Sequence, residues 1–232
     1  MSRPLAVVTG ASRGIGAASA AALGAAGFQV VRLARSLSDS KAGTAPGADR
    51  DFRCDITIAG EVERVAQEIL RLGTPDLVVS NAGAFVMKRL QQLSVQEFTE
   101  QVALNLTGAF AVARAFLPAM QAAGRGTFVT IGSVADHVGF PGNAAYGASK
   151  FGVRGLHEAL AAECADTGVR CTLVSPGPTD TDVWKGVTAG PRETLPAREQ
   201  MLRAQDVAEA VVFAATRPAR VRIEWIRMEL IR

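Results

Sequence analysis

Tyr146, the chain's single tyrosine, stands four residues before Lys150, one of four lysines, and thirteen residues after Ser133. An α-helix brings residues i and i+4 onto one face. If Tyr146 opens a helix, its phenol and the Lys150 ammonium therefore lie together. A phenol with a pKa of about 10 exchanges protons poorly at neutral pH. A neighbouring cation stabilises the phenolate, lowers that pKa and makes the group usable as an acid or base. Tyr-x-x-x-Lys also describes an ordinary surface helix with a half-buried aromatic. The pair gains meaning only from the opposite end of the chain.

There the sequence reads Leu5-Ala6-Val7-Val8-Thr9-Gly10-Ala11-Ser12-Arg13-Gly14-Ile15-Gly16, followed by alanine-rich helix formers. An apolar run breaks into glycines and then into a helix start. Glycine lets the backbone approach a phosphate closely, and the free N–H groups of a helix N-terminus suit that anion. The spacing is Gly-x-x-x-Gly-x-Gly, not the commoner Gly-x-Gly-x-x-Gly dinucleotide fingerprint. Tight packing of a strand–helix unit would also use such glycines. Their place in the first turn of an alternating chain favours the phosphate.

The elements that must position these residues alternate. Strand-like runs lie at 6–9, 30–34, 51–54, 77–80, 126–132, 170–174 and 223–230, and helical patterns at 15–26, 59–72, 95–123, 146–167 and 204–216. Alternation of this kind implies an α/β fold: a Rossmann-like, doubly wound sheet of about seven parallel strands with helices on both faces. The polar loop 36–50 is expected to be a mobile connection near one end of a cofactor. With 232 residues, 48% hydrophobic and no linker or repeat, the chain is expected to form one domain, 1–232. No run approaches the roughly 20 apolar residues of a membrane span. Met1-Ser2-Arg3-Pro4 leads straight into a strand, without room for a signal peptide. Cys54, Cys164 and Cys171 lack metal-ligand spacing and read as reduced thiols of a cytoplasmic protein. The net charge of +3 comes from scattered arginine, so neither nucleic acid nor a membrane surface is an expected partner, and no metal site is expected.

Together these residues resemble the short-chain dehydrogenase/reductase family in its compact single-domain form, over nearly the whole chain. The resemblance rests on Thr9-Gly10-x-x-x-Gly14-Ile15-Gly16, Asp55, Asn81-Ala82-Gly83, Asn105, Ser133, Tyr146-x-x-x-Lys150 and Pro176-Gly177, in the family's order and spacing. It implies a hydride exchanged between a nicotinamide cofactor and a carbonyl or alcohol. Tyr146 would be the acid or base, Ser133 would polarise the carbonyl, and Lys150 would lower the tyrosine pKa and contact the nicotinamide ribose. By resemblance Asn105 holds a water that links Lys150 to solvent; a helix kink with a satisfied amide is the other reading. The cofactor would lie on Gly10, Ser12, Arg13, Gly14, Ile15 and Gly16, then along Asn81, Ala82 and Gly83. Pro176 and Gly177 would close over the nicotinamide, with Thr179 or Thr181 reaching its carboxamide or the phosphates. Asp55 would bond the adenine, or cap the next helix.

Charge addresses which dinucleotide. NAD-selective folds place an Asp or Glu about 20 residues past the glycine turn. Here that stretch is Arg32-Leu33-Ala34-Arg35-Ser36, and no carboxylate occurs before Asp39. Arg35 and Arg13 occupy the two family positions associated with a 2′-phosphate, which a guanidinium binds through charge-assisted, often bidentate hydrogen bonds. NADP(H) is the expected cofactor. For the substrate, Ala84, Phe85, Ala135, His137, Phe140 and Trp184 are candidate contacts beside Ser133 and Tyr146. They suggest a moderately hydrophobic carbonyl compound, under a small flexible lid at 183–203 that contains Pro191 and Pro196. The tail Ile223-Glu224-Trp225-Ile226-Arg227-Met228 departs from the Thr-Gly-Gln…Val-Asp-Gly-Gly ending of 3-oxoacyl-carrier-protein reductases and is closer to the broad-specificity alcohol and hydroxy-acid dehydrogenase branch. A fatty-acid reductase is the alternative enzyme, and a non-catalytic NADP sensor the alternative class. Surplus small and apolar residues at Gly152, Gly155, Leu156, Ala159, Leu160 and Cys164 suggest a homodimer or, preferably, a homotetramer.

Overall fold

Uninterrupted runs of apolar and β-branched residues form the central strands, because strands buried on both faces have no reason to alternate. The computed structural model describes residues 3–40, 47–185, 187 and 196–231. Its strands are β1 (Leu5–Thr9), β2 (Gln29–Ala34), β3 (Arg50–Arg53), β4 (Leu77–Ser80), β5 (Gly126–Ile131), β6 (Val169–Pro176), β7 (Thr179–Asp180), β8 (Leu202–Arg203) and β9 (Trp225–Met228). Seven form one sheet in the order β3-β2-β1-β4-β5-β6-β9, with every neighbouring pair parallel. This is the doubly wound, Rossmann-like arrangement expected. The chain reverses direction of travel between β1 and β4, which opens a crevice at their carboxyl ends.

Helices α1 (Gly14–Ala25), α2 (Ala59–Leu70), α3 (Val95–Val102), α4 (Gly108–Ala122), α5 (Ala144–Glu163) and α6 (Ala204–Ala215) cover the sheet. On one face Ala20 and Leu23 of α1 and Val207 and Val211 of α6 pack with Val8, Val79 and Val129. On the other, Val62 and Ile69 of α2 and Val112, Phe116 and Met120 of α4 pack with Val7, Val78 and Phe128.

Two features differ from expectation. The helix expected at 95–123 is interrupted by a π-helical turn, Ala103–Thr107, between α3 and α4. Such a turn commonly marks a functional position, and Asn105 sits in it. Val95–Ala122 as a whole is also long and apolar enough to cross a bilayer, although the sequence showed no continuous apolar run. Its apolar residues Val112, Ala113, Phe116, Leu117 and Met120 are buried in α4, so core packing accounts for them. β7 and β8 form a short parallel ladder, Thr179 with Leu202 and Asp180 with Arg203, that ties together the two ends of the segment after β6.

Candidate active site

The crevice begins where Thr9 ends β1. The Thr9 hydroxyl accepts from the backbone N–H groups of Asn81 (2.9 Å) and Ala82 (3.0 Å), and Asn81 Nδ2 donates to the Thr9 carbonyl (2.8 Å). The Asn81-Ala82-Gly83 turn is thereby fastened to the glycine turn. Gly10 has φ +65°, and a Cβ there would meet Ala82 Cα at 2.8 Å. A Cβ on Gly16 would stand 2.5 Å from Asn81 Nδ2 and closer still to the Gly10 carbonyl. Both positions therefore require glycine, one for conformation and contact, the other for the approach of α1 to the turn. The first N–H groups of α1 have no acceptor within the helix, and Gly14 and Ile15 line the crevice. This cradle fits the phosphates of a dinucleotide.

At the other end of the same cleft, of about 810 Å³, stand Ser133, Tyr146 and Lys150. Tyr146 lies in the first turn of α5 and Lys150 one turn on, as the spacing requires. Lys150 is buried and donates to the Ile131 carbonyl at 2.9 Å, with its ammonium 5.8 Å from the Tyr146 ring centroid. Ser133 follows β5, and its hydroxyl accepts from Ala135 N–H at 3.2 Å and stands beside the Tyr146 phenol. Asn105 braces the cluster. Its Oδ1 accepts from Ala84 N–H (2.9 Å), and its Nδ2 donates to the Ala84 carbonyl and the Ser149 hydroxyl, both at 3.0 Å. Ser149 in turn donates to the Tyr146 carbonyl at 2.7 Å. A π turn and a satisfied amide thus coincide at Asn105.

Electrostatics at this end differ from the sequence expectation. Burial pushes the Tyr146 phenol up to about 12; the Ser133 hydrogen bond opposes that and the Asp136 charge adds to it. Burial pushes Lys150 down to about 8, while Asp136 pulls it back up. Desolvation dominates the phenol, while the Lys150 ammonium donates to the Ile131 carbonyl.

The wall beyond the glycine turn carries Ser12, Arg13, Ala34, Arg35 and Asp55. Arg35 is largely exposed and sits 3.9 Å from an Asp55 carboxylate oxygen. Asp55 Oδ1 accepts from Thr57 N–H (3.0 Å) and Thr57 Oγ1 (2.7 Å). Burial raises the Asp55 pKa, but these bonds and Arg35 outweigh it and hold the carboxyl low. Asp55 makes a local turn and is not the helix cap: the N-cap of α2 is Ile58. Pro176, Gly177, Thr179 and Thr181 line the cleft after β6. Thr181 Oγ1 accepts from Val183 N–H at the start of a 3₁₀ turn, Asp182–Trp184. Trp184 donates to the Thr179 carbonyl (2.9 Å), and Phe85 stands edge-on to both Trp184 (5.1 Å) and Tyr146 (4.7 Å). Of the expected lid, 186 and 188–195, Pro191 included, lie outside the described residues, as do 41–46 of the loop 36–50.

Ala84, Phe85, Phe140 and Trp184 line the cleft. Gly16, Ala135 and His137 do not. Gly16 is buried behind the turn, Ala135 is buried, and His137 turns to the Asp136 carboxylate (2.7 Å) and the Trp225 ring. Sequence reasoning passed over Asp136, a fully buried carboxylate next to the cluster. Its signal was available: Ser133-x-x-Asp136 has the spacing of a capping box.

A phosphate cradle and a Ser–Tyr–Lys cluster at opposite ends of one switch-point crevice define a nucleotide-dependent oxidoreductase site, and comparison with known proteins agrees. The chain matches the short chain dehydrogenase family over residues 4–192. It is 33% identical over 222 residues to D-threitol dehydrogenase of Mycolicibacterium smegmatis, covering 91% of this chain and 85% of that one. Over 218 residues it is 34% identical to 3-oxoacyl-[acyl-carrier-protein] reductase FabG of Escherichia coli (91% and 89%). Alcohol dehydrogenase from the archaeon Thermococcus sibiricus, solved in complex with 5-hydroxy-NADP, superposes with a TM-score of 0.84 at 31% identity, covering 97% of this chain and 96% of that one. The chain belongs to the short-chain dehydrogenase/reductase family.

Proposed function

We propose that the protein transfers hydride between NADP(H) and a small, moderately hydrophobic carbonyl or alcohol, acting through residues 1–232 as one dinucleotide-binding and catalytic domain in the cytoplasm. The observation that carries this reading is the placement of the glycine turn and the Ser133–Tyr146–Lys150 cluster on one cleft of about 810 Å³. Bound there, the cofactor supplies or accepts the hydride. The chain's own residues handle the oxygen. Tyr146 donates its phenolic proton to the carbonyl oxygen as charge develops there, and Ser133 donates a hydrogen bond to the same oxygen. A phenol that stays protonated through neutral pH suits reduction. Lys150 holds a positive charge near the phenol and would contact the ribose of a bound cofactor. Asn105 holds α5 and the Ala84 backbone in register, and a water relay beside it would return the proton.

NADP(H) over NAD(H) is supported by Arg13 and Arg35 on the cleft wall and by the lack of a carboxylate at the end of β2. The substrate class is supported by the Phe85, Phe140 and Trp184 rings that line the same cleft as Tyr146. Phe110 on α4 and Phe151 on α5 are each 48% exposed, which supports a homo-oligomer, preferably a tetramer, through those helices. Turnover of a carbonyl panel with NADPH and with NADH tests the reading. Reduction of uncharged ketones or aldehydes with NADPH is expected. Activity confined to 3-oxoacyl thioesters would move the protein to fatty-acid reduction, and cofactor binding without any turnover would make it a sensor.

A further inference from the structure

Asp136 closes a 3₁₀ turn, Val134–Asp136, immediately behind Ser133, and is 0% exposed. Burying a carboxylate costs heavily unless donors surround it. Here Oδ2 accepts from Ser133 N–H (3.2 Å) and from the Ser175 hydroxyl of β6 (2.5 Å), and Oδ1 pairs with His137 Nδ1 (2.7 Å). Ser175 accepts in turn from the Trp225 indole of β9 at 2.9 Å. Trp225 stacks edge-on to His137 at 5.7 Å and carries the Arg154 guanidinium 5.0 Å from its centre. The fit is close: a Cβ on Gly132 would lie 2.6 Å from Asp136 Oδ2 and 3.0 Å from Ser175 Oγ. Around the carboxylate stand His137 from its own turn, Tyr146, Lys150 and, beyond Trp225, Arg154 from α5, the Ser175 hydroxyl from β6 and the Trp225 indole from β9. Among the described residues no arginine or lysine forms an ion pair with it.

We propose that Asp136 is a positioning residue of the active site: its buried carboxylate, tied to β6 through Ser175, fixes the backbone at Ser133 and is a fixed counter-charge to the Tyr146 phenol and the Lys150 ammonium. The inference rests on the functional reading above. One negative charge opposes loss of a proton from either group, since a phenolate would repel it and a neutral amine would forgo its attraction. The Asp136 charge raises both the phenol and the ammonium against their other influences. Asp136 therefore adds to burial in favouring the protonated phenol and offsets part of burial's effect on the ammonium.

Asp136→Asn tests this. The amide oxygen can keep the bonds from Ser133 and Ser175, while its NH₂ faces His137 Nδ1, which accepts in the other tautomer. The charge goes and these contacts stay, at the cost of placing the His137 proton on Nε2, which is buried without a partner among the described residues. Because Tyr146 is the only tyrosine, ultraviolet titration of tyrosinate reads it directly, without substrate or cofactor. Its midpoint is expected to fall by at least about half a pH unit in the variant, with the alkaline limb of kcat for carbonyl reduction moving down alongside it. Wild-type values for both would overturn the proposal. The titration is independent of turnover, whereas failure of the functional reading would show as activity retained by Tyr146→Phe. Should Asp136→Asn not fold, Ser175→Ala keeps the charge and removes one donor. A fall in kcat of about threefold or more, with the tyrosinate midpoint unmoved, supports the anchoring of Ser133; an unchanged kcat overturns it.

Discussion

The two ends of the cleft obey different electrostatics. At the catalytic end Lys150, Asp136 and Ser133 are all less than 9% exposed, and each is tied to named partners. At the end proposed for the adenosine the Arg35 side chain is 66% exposed, and its pairing with Asp55 is loose at 3.9 Å; Arg13 is exposed as well. Buried charges feel a weak dielectric and keep their geometry, whereas exposed ones are hydrated and screened. Under the proposed function, the chemistry falls where a single group decides whether it occurs. Cofactor choice would then fall where affinity shifts by degrees and can be retuned without disturbing the core.

The largest effect should come from the buried end. Tyr146→Phe removes one proton and keeps the ring edge-on to Phe85 at 4.7 Å. Loss of a general acid costs about 10²–10⁴ in rate. We expect kcat/KM for carbonyl reduction to fall by at least about a hundredfold, with NADPH binding and Tm little changed. A variant that kept more than a few per cent of wild-type kcat/KM would show that the phenol is not the acid, and the contrast between the two ends would lose its main support.

A second buried group on the same helix sharpens the contrast through stability. His157 of α5 is 4% exposed and hydrogen-bonded to Thr130 Oγ1 at 2.9 Å. Burial holds its pKa down from 6.5 to about 4, with only Glu158 pulling upward. The unfolded chain takes up a proton near the ordinary value while the folded chain refuses it. Stability is therefore full above about 6.5, falls as pH drops towards about 4 and then levels. The maximum loss from this group is on the order of 3 kcal/mol. His157→Gln should flatten that part of the stability curve in denaturant titrations at several pH values. Equal acid sensitivity of the two proteins would mean that His157 takes up its proton while folded.

How much of this was legible in the sequence depended on range. Tyr146-x-x-x-Lys150 is a one-turn relation, and the helix that makes it real begins at Ala144. The seven strands of the main sheet announced themselves as strand-like runs, the central ones strongly apolar, with ends displaced by a few residues: 223–230 became Trp225–Met228. The π turn was only half visible: Asn105 interrupts the apolar pattern of Val102-Ala103-Leu104-Asn105-Leu106 and allowed a kink there, but nothing in the pattern distinguishes a π turn from an α-helical one. Asp136 was hidden differently. Its partners Ser175 and, beyond it, Trp225 come from strands that only the folded sheet brings together, with Ser175 39 residues from Asp136 and Trp225 50 from Ser175. The tyrosine pKa was misjudged for a related reason: i, i+4 spacing gives proximity, but not where the Lys150 ammonium points or how dry the pair becomes.

The smallest effects belong to the exposed end and should be graded and sensitive to salt. Arg13 and Arg35 each offer a guanidinium to a 2′-phosphate dianion, and a charged hydrogen bond contributes about 1.5–3 kcal/mol. Two such bonds would support a preference for NADPH over NADH of roughly a hundredfold or more at 1.4 kcal/mol per tenfold. Exposure lowers that, and so does the competition of Asp55 for Arg35. We therefore expect the double change Arg13→Ala, Arg35→Ala to lower the NADPH preference in kcat/KM by at least about tenfold, with NADH values almost unchanged because NADH has no 2′-phosphate. Raising the ionic strength from about 0.01 M to about 1 M shortens the Debye length from about 30 Å to about 3 Å. It should erode the wild-type preference severalfold, leave the double variant indifferent, and hardly move the tyrosinate midpoint at the buried end. Equal use of NADH and NADPH by the wild type would remove the assigned role of the two arginines and leave the catalytic cluster standing. A preference that ignored salt would instead mean that the arginines become buried when the cofactor binds, and the two ends of the cleft would then share one electrostatic regime.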